Sequence, residues 1–224
     1  MRVIELTQSV KAAYPRAKFG AMVVRGLDVK SGRSVMDEIL AKGIERIKFQ
    51  HRDYERKAAL AADPLCHYAA YYRRYDKSYP VLGQLESIVL NGKGIPSVGI
   101  PIEAMFLAEL TSLLLTAGHD LDAVEGALTV DIAEENAIYT GLSGKERPVV
   151  KGDLYLSDAK GVLSTILNGP DRRTQITEAT RNVLYFVYGV EGVTEQSIDA
   201  HLKTISSYLS QAVQGAEIEE RLVF

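Results

Sequence analysis

The sequence predicts an α/β fold of the α+β kind, with a helical N-terminal half and a mixed or antiparallel sheet in the C-terminal half. Between Ser34 and Ala117 apolar residues recur at helical spacing, whereas from Leu128 onward they gather in short runs separated by Gly, Asp, Asn and Pro. After Thr194 the helical spacing returns. No internal repeat, low-complexity segment or clear linker divides residues 1–224, so one domain is expected, although the change of character near residue 95 is a candidate boundary. Residues 1–78 then form a strand and helix elaboration on a core at 79–214.

The elements follow in order. Alternation over Val3–Leu6 and the run Phe19–Gly26 read as two strands, separated by a short helix ending at Tyr14-Pro15. Ser34 to Ala62 reads as a long solvent-facing helix with Val35, Ile39, Leu40, Ile44 and Ile47 on one side and a break at Gly43. Asp63-Pro64 supplies an N-cap and first-turn pair for a helix carrying Cys66, His67 and several tyrosines.

Tyr68, Tyr72, Tyr75 and Tyr79 fall at spacings of four, three and four, so they read as one helix face on a core with Arg73 and Arg74 outward. The alternative is an aromatic and basic surface for stacking on bases. Tyr79-Pro80 opens a helix to about Leu90, closed by Asn91-Gly92; GxxxxGK[ST] is absent, so the nearby glycines cap a helix instead of cradling phosphate.

Ile102 to Ala117 is apolar nearly all round and reads as a central buried helix ended by Gly118, with His119, Asp120 and Asp122 emerging in a loop. Six short β-type runs follow: Leu128–Ala133, Ala137–Thr140, Val149–Val150, Leu154–Ser157, Val162–Leu167 and Val183–Tyr188. An amphipathic helix from Thr194 to Gln214 and an acidic tail close the chain.

With 224 residues, 46% of them hydrophobic, the chain has ample material for a core. A net charge of −3 does not suit a protein that coats nucleic acid indiscriminately, because that mode needs many uncompensated cations. Any nucleic acid would have to be met by a local patch. Cys66 is the single cysteine, which excludes an internal disulfide and a thiolate metal cage and suits a reducing compartment such as the cytoplasm. Glu5 interrupts any leader-like apolar stretch, and nothing approaches the ~20 apolar residues of a membrane span, so an unprocessed soluble protein is expected.

Gly169 to Tyr188 joins a loop dense in charge and hydroxyls to an unbroken apolar run, the usual way a site hangs on a buried strand. GxSxG is absent, and Cys66 beside His67 lacks the spacing of a metal site, since adjacent helical residues point apart.

The segment Tyr79–Val98, the buried helix after it, Ala117-Gly-His-Asp-Leu-Asp122, Val124–Val130, Asp153–Asp158, Lys160–Gly169 and Thr177–Leu184 resemble the B3/B4 domain of the phenylalanyl-tRNA synthetase β subunit. The chain looks more closely like free-standing B3/B4-domain proteins. The resemblance is strong over about 79–190 and weaker toward both ends. It implies an α/β domain that in the synthetase hydrolyses tyrosine wrongly esterified to the tRNA, without metal or cofactor. A free-standing relative is then a trans-acting aminoacyl-tRNA hydrolase, or a non-catalytic binder of an aminoacyl or nucleotide ligand, a small anion or an RNA end.

Carried over residue by residue, His119 matches the editing-site histidine, in Thr-Ala-Gly-His where the family has Gln-Pro-Met-His. Counting back from Asn182 without gaps, the family's tyrosine-recognising glutamate falls on Arg172, with Asp171 beside it. Arginine has no acceptor for a phenol hydroxyl, so a specificity other than tyrosine is expected. Glu103 matches an acidic position of the buried helix, and Phe106 replaces the usual asparagine.

An ester hydrolase needs an oriented water, oxyanion stabilisation and a base or a substrate hydroxyl doing its work. The resemblance makes His119, Arg172 and Thr174 the candidate catalytic residues, with Glu103, Asp171, Arg173, Thr177, Asn168 and Gly169 as substrate contacts across two facing loops. Each has a plainer reading: a surface histidine after a helix, arginines paired with Asp171 or Glu178, and threonines satisfying a turn.

Overall fold

The computed structural model describes residues 4–28 and 32–224; Val3, the start of the first expected strand, lies outside them. The elements are β1 (Ile4–Leu6), α1 (Gln8–Ala13), β2 (Lys18–Arg25), α2 (Arg33–Gln50), α3 (Arg56–Ala61), α4 (Leu65–Arg73), α5 (Pro80–Val89), α6 (Ile100–Ser112), β3 (Thr116–Asp120), β4 (Leu128–Ile132), β5 (Ala137–Thr140), β6 (Glu146–Val149), β7 (Leu154–Asp158), β8 (Gly161–Thr165), β9 (Gly169–Pro170), β10 (Val183–Gly189), α7 (Glu195–Ala212) and β11 (Glu217–Val223). This is the α+β arrangement expected, with most helices before residue 113 and most strands after it.

Two sheets organise the molecule. One has the order β1-β4-β7-β8-β9, parallel only between β1 and β4; the other, β11-β2-β10-β3, is wholly antiparallel. Every residue of β10 is buried, as the unbroken run Val183–Tyr188 requires of a strand covered on both faces. Because β2 lies between β10 and β11, a strand of the N-terminal half and the end of the chain share one sheet. The candidate boundary near residue 95 does not separate the sheets.

Four expectations need correction. The break in the 34–62 helix falls at residues 51–55, not at Gly43. Gly43 lies in mid-helix because α6 approaches there: a Cβ on it would stand 2.6 Å from Leu107 Cδ1. Asp63 does not cap α4; Pro64 holds that position without a side-chain bond.

The central helix stops at Ser112, with Leu113 left-handed at φ 61°, and Thr116 and Ala117, expected at its end, open β3. The apolar run Leu113–Leu115 carries no glycine or proline to mark the stop, so helical periodicity reads on through it. Small residues suit β3 because its neighbours crowd it: a Cβ on Gly118 would lie 2.9 Å from Ile176 Cδ1. The acidic tail is likewise an edge strand, pairing with β2 while its side chains alternate between exposed and half-buried.

The tyrosines belong to the core as expected, with Tyr71 added, but not as one helix face, because α4 ends at Arg73 and Tyr75 and Tyr79 lie beyond it. Tyr68, Tyr71 and Tyr72 of α4 and Tyr79 ahead of α5 are buried, Tyr75 is half-buried, and Arg73 and Arg74 are exposed. Tyr68 and Tyr79 stack with ring centroids 4.5 Å apart. Their hydroxyls reach backbone carbonyls: Tyr68 to Tyr188, Tyr72 to Ile166, Tyr79 to Leu113, which keeps large amphipathic side chains satisfied inside.

Candidate functional site

Alternation along β3 turns Ala117 and His119 to one side, and that side faces the other sheet. His119 therefore sits between the two sheets, fully buried, and not in a surface loop. Its Nδ1 lies 2.8 Å from Thr174 Oγ1 and its Nε2 3.2 Å from Ser164 Oγ of β8. The Thr174 hydroxyl hydrogen-bonds the Asp171 carboxylate, which also accepts the Thr174 backbone N–H at 3.2 Å. Ser164 Oγ in turn lies 2.7 Å from the Tyr188 hydroxyl of β10.

The bonding order assigns the protons. With Asp171 ionised, Thr174 donates to it, His119 Nδ1–H donates to Thr174, and Nε2 is left to accept from Ser164. Burial drives His119 down to about 3, assisted by the Arg173 charge, so the ring is neutral at ordinary pH. The result is a continuous chain of carboxylate, hydroxyl, imidazole, hydroxyl and phenol crossing the junction of the sheets.

That chain ends at a cavity of about 360 Å³, in the size range of small-ligand sites at ~300–1,000 Å³. Tyr188, Thr116 and Ala117 wall it from one sheet and Thr165 to Pro170 from the other. Arg147 on the β5–β6 hairpin adds a cation to the wall, and among the described residues no carboxylate side chain lines it. Lys77 Nζ lies 2.7 Å from Asn168 Oδ1, adding a second cation beside the cavity. Thr116 Oγ1 is 2.7 Å from the buried His201 Nε2. Asp153, fully buried nearby, accepts from Tyr71 at 2.7 Å and from the Leu167 N–H at 3.2 Å, and burial raises it to about 6.

The expected site residues separate into groups. His119, Thr174 and Asp171 come together in the buried chain. Asn168 and Gly169 line the cavity; the Asn168 side-chain amide donates to Pro148, and the Gly169 carbonyl accepts from Tyr139 at 2.7 Å. Arg172 turns away: it is exposed, its N–H donates to Thr140, and its guanidinium lies over Gly144. Arg173 is engaged by the Asp158 carboxylate at 2.9 and 3.1 Å, by the Ala123 carbonyl and more distantly by Asp171, not by Glu178.

Glu103 and Thr177 belong to a different place. Glu103 is fully buried, binds Arg33 at 2.6 and 2.9 Å and accepts the N–H groups of Val98 and Gly99. Arg33 and Thr177 line a second cavity of about 550 Å³. Thr177 and Thr180 do what the turn reading expects: Thr180 Oγ1 accepts the Thr177 N–H, and Thr177 Oγ1 accepts the Ala179 N–H.

Sequence reasoning missed Ser164, Tyr188, Thr165, Arg147 and Asp153. Ser164 and Thr165 were visible as the polar positions inside the run Val162–Leu167. Tyr188 and Arg147 carried no signal, because only the meeting of two sheets and a hairpin brings them to one cavity.

A two-sheet α+β chain with a polar cavity at the junction of the sheets is the class that fold and site define. Residues 106–215 match the family described as the B3/4 domain. Over 76 residues, 34% of this chain, it is 26% identical to the phenylalanine–tRNA ligase beta subunit of Mycoplasma genitalium, and that stretch covers 9% of the subunit. An N-terminal fragment of the phenylalanyl-tRNA synthetase beta-subunit from Pyrococcus horikoshii superposes on 99% of this chain with a TM-score of 0.51 at 12% identity. The chain spans 53% of that fragment, and at this identity the likeness is one of fold. Among the described residues no helix is long and apolar enough to cross a membrane.

Proposed function

We propose that the protein receives the aminoacylated end of a tRNA in the cavity walled by Tyr188, Thr165, Asn168 and Arg147, and hydrolyses the ester in trans. The observation that carries the reading is the junction itself: a cavity with a cation and no carboxylate among the described residues of its wall, backed by a hydrogen-bonded chain that runs from Tyr188 through Ser164 and the neutral His119 ring to Asp171. A carboxylate-free wall suits an anionic substrate, and a preorganised chain of dipoles suits charge developing on an ester carbonyl. The reaction is addition of water to the carbonyl carbon, cleavage of the bond to the ribose oxygen, and protonation of that oxygen. Its products are a free amino acid and an uncharged tRNA.

The acidic group sharing the cluster with His119 is Asp171, so the gap-free counting that set Arg172 in the family's glutamate position carries no weight against the scaffold. Arg147 and Lys77 supply local positive charge that the net charge of −3 does not. One observation favours a second reading, a binding module without catalysis. His119 is fully buried with both ring nitrogens bonded, leaving it no free atom to meet a substrate.

Incubation of wild type and Arg147→Ala with a panel of mischarged tRNAs separates the readings. Hydrolysis predicts faster release of at least one amino acid than from tRNA alone, slowed by the substitution. Retention of charged tRNA on the protein without release supports the binding module, and neither release nor retention defeats both.

A further inference from the structure

Three potential ligand atoms converge at the start of α4, more than a helical pattern of adjacent residues provides. Asp63 stands just before the helix, and its Oδ1 lies 3.2 Å from Cys66 Sγ and 2.9 Å from His67 Nε2. The three atoms all fall within 4.8 Å of one another. Cys66 and His67 are adjacent and diverge as side chains, but Asp63, three and four residues back, lies between their tips.

We propose that Asp63, Cys66 and His67 form a site for a borderline transition-metal dication of the zinc type, with a fourth position open to water. A thiolate, an imidazole and a carboxylate are a donor set that favours zinc over magnesium or calcium. In a tetrahedral zinc site the usual bond lengths set ligand atoms about 3.4–3.6 Å apart. The two separations from Asp63 Oδ1, 3.2 and 2.9 Å, need only a few tenths of an ångström of expansion, and Cys66 and His67 lie within 4.8 Å of each other. Binding displaces the thiol proton that Cys66 now donates to Asp63 Oδ1, while the neutral His67 ring then carries its proton on Nδ1, so it releases a proton and strengthens as pH rises.

The surroundings support the geometry. His67 packs on Gly192, where a Cβ would stand 2.1 Å from the ring; the absent side chain, at a φ of +100°, lets the imidazole keep its place. His67 and Glu191 line a cavity of about 470 Å³, which leaves the fourth position room. The cations there are already matched, Lys18 with Glu195 at 2.6 Å and Arg16 with Glu191 at 3.6 Å. This site is separate from the cavity at the sheet junction and does not rest on the function proposed for it.

The test is titration of the full chain, stripped with chelator, with Zn²⁺ against a competing dye, and with Co²⁺ followed by absorption. The expected result is one equivalent bound, with a thiolate-to-cobalt charge-transfer band, and an affinity at least tenfold weaker in Cys66→Ser and in His67→Gln. Melting curves of the metal-free variants check folding. No saturable equivalent in the wild type, or binding unchanged in both folded variants, overturns the proposal; the latter means an adventitious ion only.

Discussion

Thr174 Oγ1 stands 2.8 Å from His119 Nδ1 while also bonding Asp171, so one hydroxyl holds an imidazole and a carboxylate in fixed register between two sheets. Thr174→Val keeps the shape and removes the hydroxyl, leaving two buried polar groups short of a partner. Each such loss costs about 1–3 kcal/mol, and ~1 kcal/mol moves the melting temperature of a chain this size by roughly 2–4 °C. Urea denaturation should show Thr174→Val clearly destabilised, and Thr174→Ser close to wild type.

Arg147→Ala should weaken ligand binding about tenfold or more, as expected when a charge-assisted hydrogen bond worth ~1.5–3 kcal/mol is lost. Arg172→Ala should leave binding within about twofold, because its guanidinium lies over Gly144 and not in the cavity wall. Filter retention of a charged tRNA, with melting temperatures as a control, measures both.

Buried ionisable groups set a two-sided dependence of stability on pH. Burial lowers His119 to about 3 and His201 to about 4. Their contribution is full above the unfolded value near ~6.5 and is lost as pH falls through the folded values, because the unfolded chain then binds more protons. Burial raises Glu109 to about 8 against the opposing Thr116 N–H, and its contribution is full below the ordinary carboxylate range and is lost as pH rises through 8. Glu109→Gln should therefore flatten the fall in stability between about pH 4.5 and 8 while leaving the acid limb in place. Denaturant midpoints across that range check it.

Gly43→Ala tests the contact between α2 and α6. On an exposed helix the change stabilises by ~1 kcal/mol, but here the added methyl meets buried Leu107 at 2.6 Å. A net loss of about 1–3 kcal/mol is expected from overpacking; a gain would mean that Leu107 moves aside freely.

Most central strands and the burial of the tyrosines were legible, because short apolar runs between turn residues and helical spacing are local signals, whereas β11 read as an acidic tail. The end of α6 was not, since Leu113–Leu115 continues the helical pattern and only pairing with β10 makes strand of Thr116–Asp120. The same misplacement set His119 in a loop. Arg172 looked catalytic from its position in the chain, while the Gly141–Asp171 bridge turns Asp171 inward and leaves its neighbour outside. Metal chemistry at Cys66 and His67 was set aside on adjacency alone, and Asp63, outside the helix, supplies the third ligand atom.

The central claim is that the cavity between Tyr188, Thr165, Asn168 and Arg147 takes the aminoacylated end of a tRNA. Calorimetric titration with a panel of non-hydrolysable 3′-aminoacylamino-adenosines, on wild type and Arg147→Glu, tests it most directly. The account predicts one-to-one binding of at least one member of the panel and its loss in the folded variant. Absence of binding across the panel, or equal binding by Arg147→Glu, contradicts it.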